Sequence, residues 1–181
     1  WLGCYLLLLL GVVPSFAQGP NTKRKLVWSD EFSYKGLPDS TRWSYDKGRG
    51  CPMNCGWGNQ EAQFYTWNRE KNARVQNGYL VLEAHHEKWE DAAYTSTRLV
   101  SKNKGDWKYG RIEVRAQLPK GTGIWPAIWM LPTDNQYGIW PKSGEIDIME
   151  FVGYHPDSVF GTVHTEAYNG MRGTQKVKGI S

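Results

Sequence analysis

Hydrophobic and polar positions alternate with the two-residue period of a β-strand in several windows of this 181-residue chain. Across Arg111 to Leu118, Ile112, Val114, Ala116 and Leu118 face one way and Arg111, Glu113, Arg115 and Gln117 the other. Val159 to His164 alternates as well. Within Ala73 to Ala84 the pair Asn77-Gly78 divides two β-prone runs, the strongest short-range signal for a hairpin. No window carries a helical period, no internal repeat is visible, and Gly, Pro, Asn and Asp separate the candidate strands. The pattern predicts an all-β fold, a sandwich of antiparallel sheets.

One alternating run also carries charge where a core would be expected. GEIDIMEFVG, Gly144 to Gly153, sets Glu145, Asp147 and Glu150 among Ile, Met, Phe and Val. Alternation puts Glu145 and Asp147 on one face and turns Ile146 and Ile148 toward a core. Continued strictly, it would send Glu150 into that core, where an unpaired charge is costly. One extra residue, a β-bulge at Ile148-Met149, returns Glu150 to the face of the other two, and bulges are over-represented beside active sites. The glutamates then stand roughly 13 Å apart along the backbone at about 3.3 Å per residue. Side chains leaning inward close most of that gap, toward the roughly 5–5.5 Å carboxylate separation used by retaining glycosidases. Crowded carboxylates cannot all ionise cheaply, so one of them is expected to keep its proton near neutral pH. A strand this acidic is ordinarily only a solvated face, so its neighbours in the sequence matter.

Those neighbours are aromatic. Trp125 and Trp129 lie in the Gly- and Pro-punctuated run GTGIWPAIWMLP, Gly121 to Pro132, and the chain holds 10 Trp and 10 Tyr, more indole than a core of this size requires. Flat amphipathic rings suit the apolar faces of pyranoses, while their polar edges bond to hydroxyls. Either tryptophan taken singly is as readily a core residue. Together with the acids they read as a cleft for carbohydrate.

With WSDEF (Trp28 to Phe32), GWGNQEAQFYT (Gly56 to Thr66) and YGRIEVRAQLP (Tyr109 to Pro119), these runs stand in the order seen in glycoside hydrolase family 16. The chain resembles the laminarinase, or endo-β-1,3-glucanase, branch of that family. Its acidic run has the longer E-x-D-x-x-E form of laminarinases, not the E-x-D-x-E typical of bacterial lichenases. The resemblance implies a concanavalin A-like jelly-roll β-sandwich of two curved antiparallel sheets, the concave one forming an open cleft for a polysaccharide. It implies a retaining enzyme that hydrolyses laminarin-type β-1,3-glucan by double displacement, with Glu145 as nucleophile, Glu150 as acid and then base, and Asp147 supporting the nucleophile. Trp125 and Trp129 match glycone-side platforms. Asn59, Glu61 and Arg98 are expected among the polar groups that line the cleft, and His164 on the strand beside the acidic one. No cofactor is required, although relatives sometimes hold a structural calcium near Glu31. Family members continue with further strands beyond Gly161 to Thr165, so the domain is expected to be C-terminally incomplete at Ser181. The rival readings are a transglycosylase, a hydrolase of mixed-linkage glucan, agar or carrageenan, and a non-catalytic β-glucan-binding module. Both glutamates are retained, which argues against the last of these.

Composition and cysteines add the setting. With 40% hydrophobic and 22% charged residues the chain has the make-up of one globular domain. A net charge of +4 with Lys23-Arg24-Lys25 as the only basic run excludes nucleic acid as a partner. Leu6 to Val13 followed by Pro14-Ser15-Phe16-Ala17 reads as a signal peptide, residues 1–17, cleaved after Ala17 and too short to span a membrane. The chain opens on Trp1 with no basic segment ahead of the apolar block, so the start of the gene product is expected upstream. Cys4 precedes that block instead of closing it, which argues against a lipoprotein anchor. Residues 18–26 then form a leader and 27–181 a secreted domain, expected to be monomeric. Cys51 and Cys55, an even pair in an oxidising compartment, predict a small-loop disulfide bracing CPMNC ahead of Trp57 and Asn59. Zinc is the weaker alternative, since a zinc site needs about four ligands and His85-His86 point to opposite faces of any strand.

Overall fold

The computed structural model describes residues 24–181. The proposed signal peptide, its cleavage site and Cys4 lie outside those residues. Among the described residues the only helical pieces are two 3₁₀ turns, Cys55–Gly58 and Gly170–Arg172. The rest of the regular structure is eleven strands: β1 (Ser44–Asp46), β2 (Gln63–Tyr65), β3 (Ala73–Gln76), β4 (Tyr79–Leu82), β5 (His85–Trp89), β6 (Ala92–Ser96), β7 (Arg98–Val100), β8 (Ala127–Met130), β9 (Glu145–Glu150), β10 (Val159–His164) and β11 (Lys176–Ile180). They hydrogen-bond in four sheets, ordered β1-β7, β3-β4, β2-β6-β5 and β11-β10-β9-β8. No helix among the described residues is long and apolar enough to cross a membrane.

The hairpin forms where the sequence placed it. β3 and β4 pair with Gln76 opposite Tyr79, leaving Asn77 and Gly78 as the two-residue loop with φ of 53° and 79°. Positive φ at both positions is the type I′ geometry, whose twist matches that of the flanking strands. β10 occupies the alternating window Val159 to His164. The buried apolar residues are Phe64, Ala73, Val75, Ala92 and Phe151. Beside them Asn72, fully buried, is satisfied on every side: its Oδ1 accepts from Thr66 Oγ1 at 2.8 Å and from Arg69 at 2.8 Å, and its Nδ2 donates to Glu83 O and Thr95 Oγ1, each at 3.0 Å. A saturated buried amide costs little and fixes the residue ahead of β3 against β6 and the link that follows β4.

Three expectations are corrected. Arg111 to Leu118 is not a strand: no ladder reaches it, and Ile112 and Val114 are 43% and 54% exposed. Alternation records which face a strand would bury, not whether a partner is there to pair with it. The far side of β9 is likewise uncovered, with Ile146 50% and Ile148 36% exposed where a core was expected. Pairing is also not purely antiparallel, because β2 runs parallel to β6. The surplus of indole is in part structural as well. Trp28 packs edge-on against both Trp43 and Trp107, with ring centroids 5.3 and 5.5 Å apart.

Candidate active site

The bulge appears on both sides of β9. Against β8, Met149 faces Ile128 and Asp147 faces Trp129, so Ile148 has no counterpart. Against β10, Glu150 faces Phe160 and Asp147 faces Thr162, so Ile148 and Met149 together oppose Gly161 alone. The extra residue sets Glu145, Asp147 and Glu150 on one face, each beside a cross-strand partner: His164, Thr162 and Phe160.

The carboxylates occupy different surroundings. Glu150 is held at both oxygens, with Oε1 accepting from Trp125 Nε1 at 3.0 Å and Oε2 from Thr162 Oγ1 at 2.8 Å. Asp147 is buried, its side chain 3% exposed, and its Oδ2 has no aligned hydrogen-bond donor although His164 Nε2 lies 3.2 Å away. Burial above all, then the negative charges of Glu145 and Glu150, push its carboxyl up to about 7. Glu145 is raised chiefly by burial, a rise opposed by hydrogen bonding from Asp147, by the indole N–H of Trp140 and by the charge of Arg98. Trp140 Nε1 is itself buried without a well-aligned acceptor, so it acts on Glu145 as a nearby dipole. Burial and mutual crowding thus hold Asp147 and Glu145 together above the ordinary carboxylate range, as expected for acids this close.

The remaining predicted residues fall into two groups. Trp125 is 51% exposed beside Glu150, at the rim of a hollow of about 220 Å³ that also involves Tyr154, His155 and Phe160. Arg98 lies between two indoles, 4.7 Å from the centre of Trp57 and 4.4 Å from that of Trp129, and its Nε pairs with Asp46 at 2.9 Å. Trp57 in turn packs on Tyr65 at 5.4 Å, and Tyr65 donates to Glu61 at 3.0 Å, which also accepts from Asn59 at 3.4 Å. Burial, then Glu61, raise the Tyr65 hydroxyl well above its ordinary range. Asn59, Glu61 and Arg98 thus join one chain of contacts that ends at Trp129, opposite Asp147.

Sequence reasoning missed Asp46, Trp57, Tyr65, Trp140 and Thr162. Only Thr162 had a readable signal, since alternation places it on the face of His164. Cys51 and Cys55 are joined by a disulfide, with Cα atoms 4.3 Å apart, directly ahead of the turn that presents Trp57. That turn runs through positive φ at Gly56, Trp57, Gly58 and Gln60. A tryptophan at φ 53° is a genuine outlier, of the kind that persists where surrounding structure over-determines a functional position.

Among the described residues one grouping has the proportions of a metal site: oxygens of Glu145 and Asp147 with a ring nitrogen of His164, all within 4.8 Å of one another. Glu31 lies exposed and joins no such group. In WSDEF the structural weight rests on Asp30, whose side chain is 1% exposed and accepts from Tyr34 Oη at 3.0 Å and Trp43 Nε1 at 2.9 Å.

Comparison with known proteins gives a consistent picture. The family described as Glycosyl hydrolases family 16 matches residues 59–179. The chain is similar to a β-glucanase of Rhodothermus marinus, 58% identical over 154 residues that make up 84% of this chain and 52% of that protein. It is also similar to a glucan endo-1,3-β-glucosidase of Cryptopygus antarcticus, 46% identical over 144 residues, covering 77% of this chain and 50% of that protein. Among solved structures it superposes on the laminarinase from Rhodothermus marinus with a TM-score of 0.82 at 56% identity, covering 86% of this chain and 61% of that one. The chain spans about half the length of the curated relatives it matches.

Proposed function

Because the chain belongs to glycosyl hydrolases family 16, we propose that it is part of a secreted endo-β-1,3-glucanase that hydrolyses laminarin-type chains with retention at the anomeric carbon. The observation that carries this reading is the bulged strand β9, which gathers Glu145, Asp147 and Glu150 on one face in unequal surroundings. In the reaction so read, Glu145 attacks the anomeric carbon while Glu150, in its protonated form, gives its proton to the leaving oxygen, and the glycosidic bond breaks as a covalent glycosyl-enzyme forms. Glu150 then takes a proton from water, which displaces Glu145 and releases the sugar. Asp147, protonated at the pH where Glu145 is ionised, hydrogen-bonds the nucleophile and moderates its charge. Because the titrations are coupled, the pH dependence belongs to the trio as a whole. Trp125 on Glu150 and the Trp129–Arg98–Trp57 stack supply flat walls for sugar rings, and the two curved sheets of a jelly roll would flank the cleft.

The stereochemistry of rescue tests the roles. With Glu150→Ala, an activated aryl β-glucoside oligomer needs no proton and still forms the intermediate. Azide then displaces Glu145 from the upper face and gives a β-glycosyl azide. With Glu145→Ala, azide attacks once from below and gives the α-product. Anomeric-proton NMR distinguishes them. Exchanged products would reverse the two roles, and full activity in either variant would remove the glycosidase reading. Reducing-sugar release from laminarin, lichenan, agarose and carrageenan by the full-length protein tests the substrate, with laminarin expected to be preferred.

A further inference from the structure

The imidazole of His164 is gripped from the side away from the acids. The backbone N–H of Gly170 donates to His164 Nδ1 at 3.1 Å. A ring nitrogen that accepts carries no proton, so the single proton of the neutral ring resides on Nε2. That nitrogen lies 3.2 Å from Asp147 Oδ2 and 4.0 Å from Glu145 Oε1. Asp147 Oδ2 is buried, and no aligned hydrogen-bond donor reaches it from elsewhere, so this N–H is the nearest one on offer. The opposite tautomer would set two N–H groups against each other at Nδ1 and a lone pair against a carboxylate oxygen at Nε2.

The loop that presents this N–H is itself braced. Asn169 is 2% exposed, and its Nδ2 donates to the carbonyls of Thr165 and Glu166, each at 3.1 Å. Its backbone N–H donates to Thr174 Oγ1 at 3.2 Å, and Trp140 flanks the imidazole with ring centroids 5.8 Å apart. The buried amide closes the loop on the end of the strand that holds His164, so the donor and the ring it meets move as one unit.

We propose that the backbone N–H of Gly170 sets the tautomer of His164, fixing it as an Nε2–H donor toward Asp147, and that Asn169 and Gly170 are positioning residues of the acid site. When Asp147 gives up its proton as the charge on Glu145 changes, an N–H already lies within 3.2 Å of Oδ2, and no proton exchange at the ring is needed. This consequence rests on the glycosidase reading above. The tautomer does not.

The test uses the full-length protein carrying ¹⁵N-histidine. Long-range ¹H–¹⁵N correlation near neutral pH should find the His164 proton on Nε2. Gly170→Ala keeps the N–H, and its added Cβ would meet His164 Cε1 at 3.5 Å, an ordinary contact, so the same tautomer is expected. Gly170→Pro removes the N–H. Asn169 before it is already extended at φ −155°, ψ 167°, as a residue ahead of proline must be, but the proline Cδ takes the place of the hydrogen that met Nδ1, so the imidazole both loses its donor and is pushed away from that position. This variant should show mixed tautomers, with kcat on laminarin lower by about tenfold or more and KM within about twofold. A merely structural role would raise KM or lower the unfolding temperature without changing the ring spectrum. A proton on Nδ1 in the wild type, or a proline variant that keeps Nε2–H alone, would overturn the proposal. If the proline variant does not fold, the wild-type spectrum decides. A wild type inactive on every glucan would sink the glycosidase reading and leave the tautomer result standing.

Discussion

At the scale of single residues, environment sets Asp147 apart from its neighbours. In the unfolded chain its carboxyl ionises near 3.8, and in the folded protein near 7. Between those values the folded state holds a proton that the unfolded state has lost, so stability falls as pH rises through that window and levels off above it. Asp147→Asn, always neutral, escapes this loss. Its unfolding temperature relative to wild type should therefore climb between about pH 4 and about pH 8, measured by calorimetry, while glucanase activity falls at least about a hundredfold. A difference that stays flat with pH would refute the raised carboxyl. The two tryptophans separate at this scale too. Trp125, 51% exposed, should cost under about 1 kcal/mol of stability on replacement by Ala while weakening oligosaccharide binding. Trp129, pressed on Arg98 at 4.4 Å, should cost about 2–3 kcal/mol in denaturant unfolding along with its share of binding.

At the scale of elements, the bulge in β9 makes a deletion prediction. Removing Met149 restores plain alternation and leaves Glu150 on the acid face, whereas removing Ile146 turns Glu145 over relative to Asp147. The Met149 deletion should keep measurable hydrolysis of laminarin and the Ile146 deletion should abolish it; equal loss in both would count against the register. What was legible in the sequence follows the range of the interaction. Asn77-Gly78 and the acidic run are local signals, because turn geometry and the cost of burying Glu150 are settled within a few residues. Arg111 to Leu118 misled for the opposite reason, since whether an alternating segment becomes a strand depends on a partner edge that its own residues do not encode. The Trp57–Arg98–Trp129 stack and the Asp46 pair were illegible for the same cause, being built from positions tens of residues apart.

At the scale of the molecule, the apolar side chains left uncovered stand out. Ile146 and Ile148 on the far side of β9, with Val163 opposite Ile146 on β10 and Ile180 on β11, are all at least 36% exposed. Contiguous exposed apolar surface promotes association, so the 181-residue chain expressed by itself should bind a hydrophobic dye and form concentration-dependent oligomers in sedimentation. A dye-silent monomer would show that face to be covered. A different property follows from how the ladders are distributed. Strands β1 to β7 pair only among themselves, as do β8 to β11, so residues 44–100 and 127–180 share no ladder. They meet through side chains such as Arg98 on Trp129, which belong to the site. Each segment can form its own pairings before the other has formed, the hairpin-like ones first and β1 on β7 last, and the cleft is then the seam where the two pieces dock. On dilution from denaturant the far-UV signal of the strands should return first, and the near-UV signal of the stacked indoles, the mark of an assembled site, should follow it.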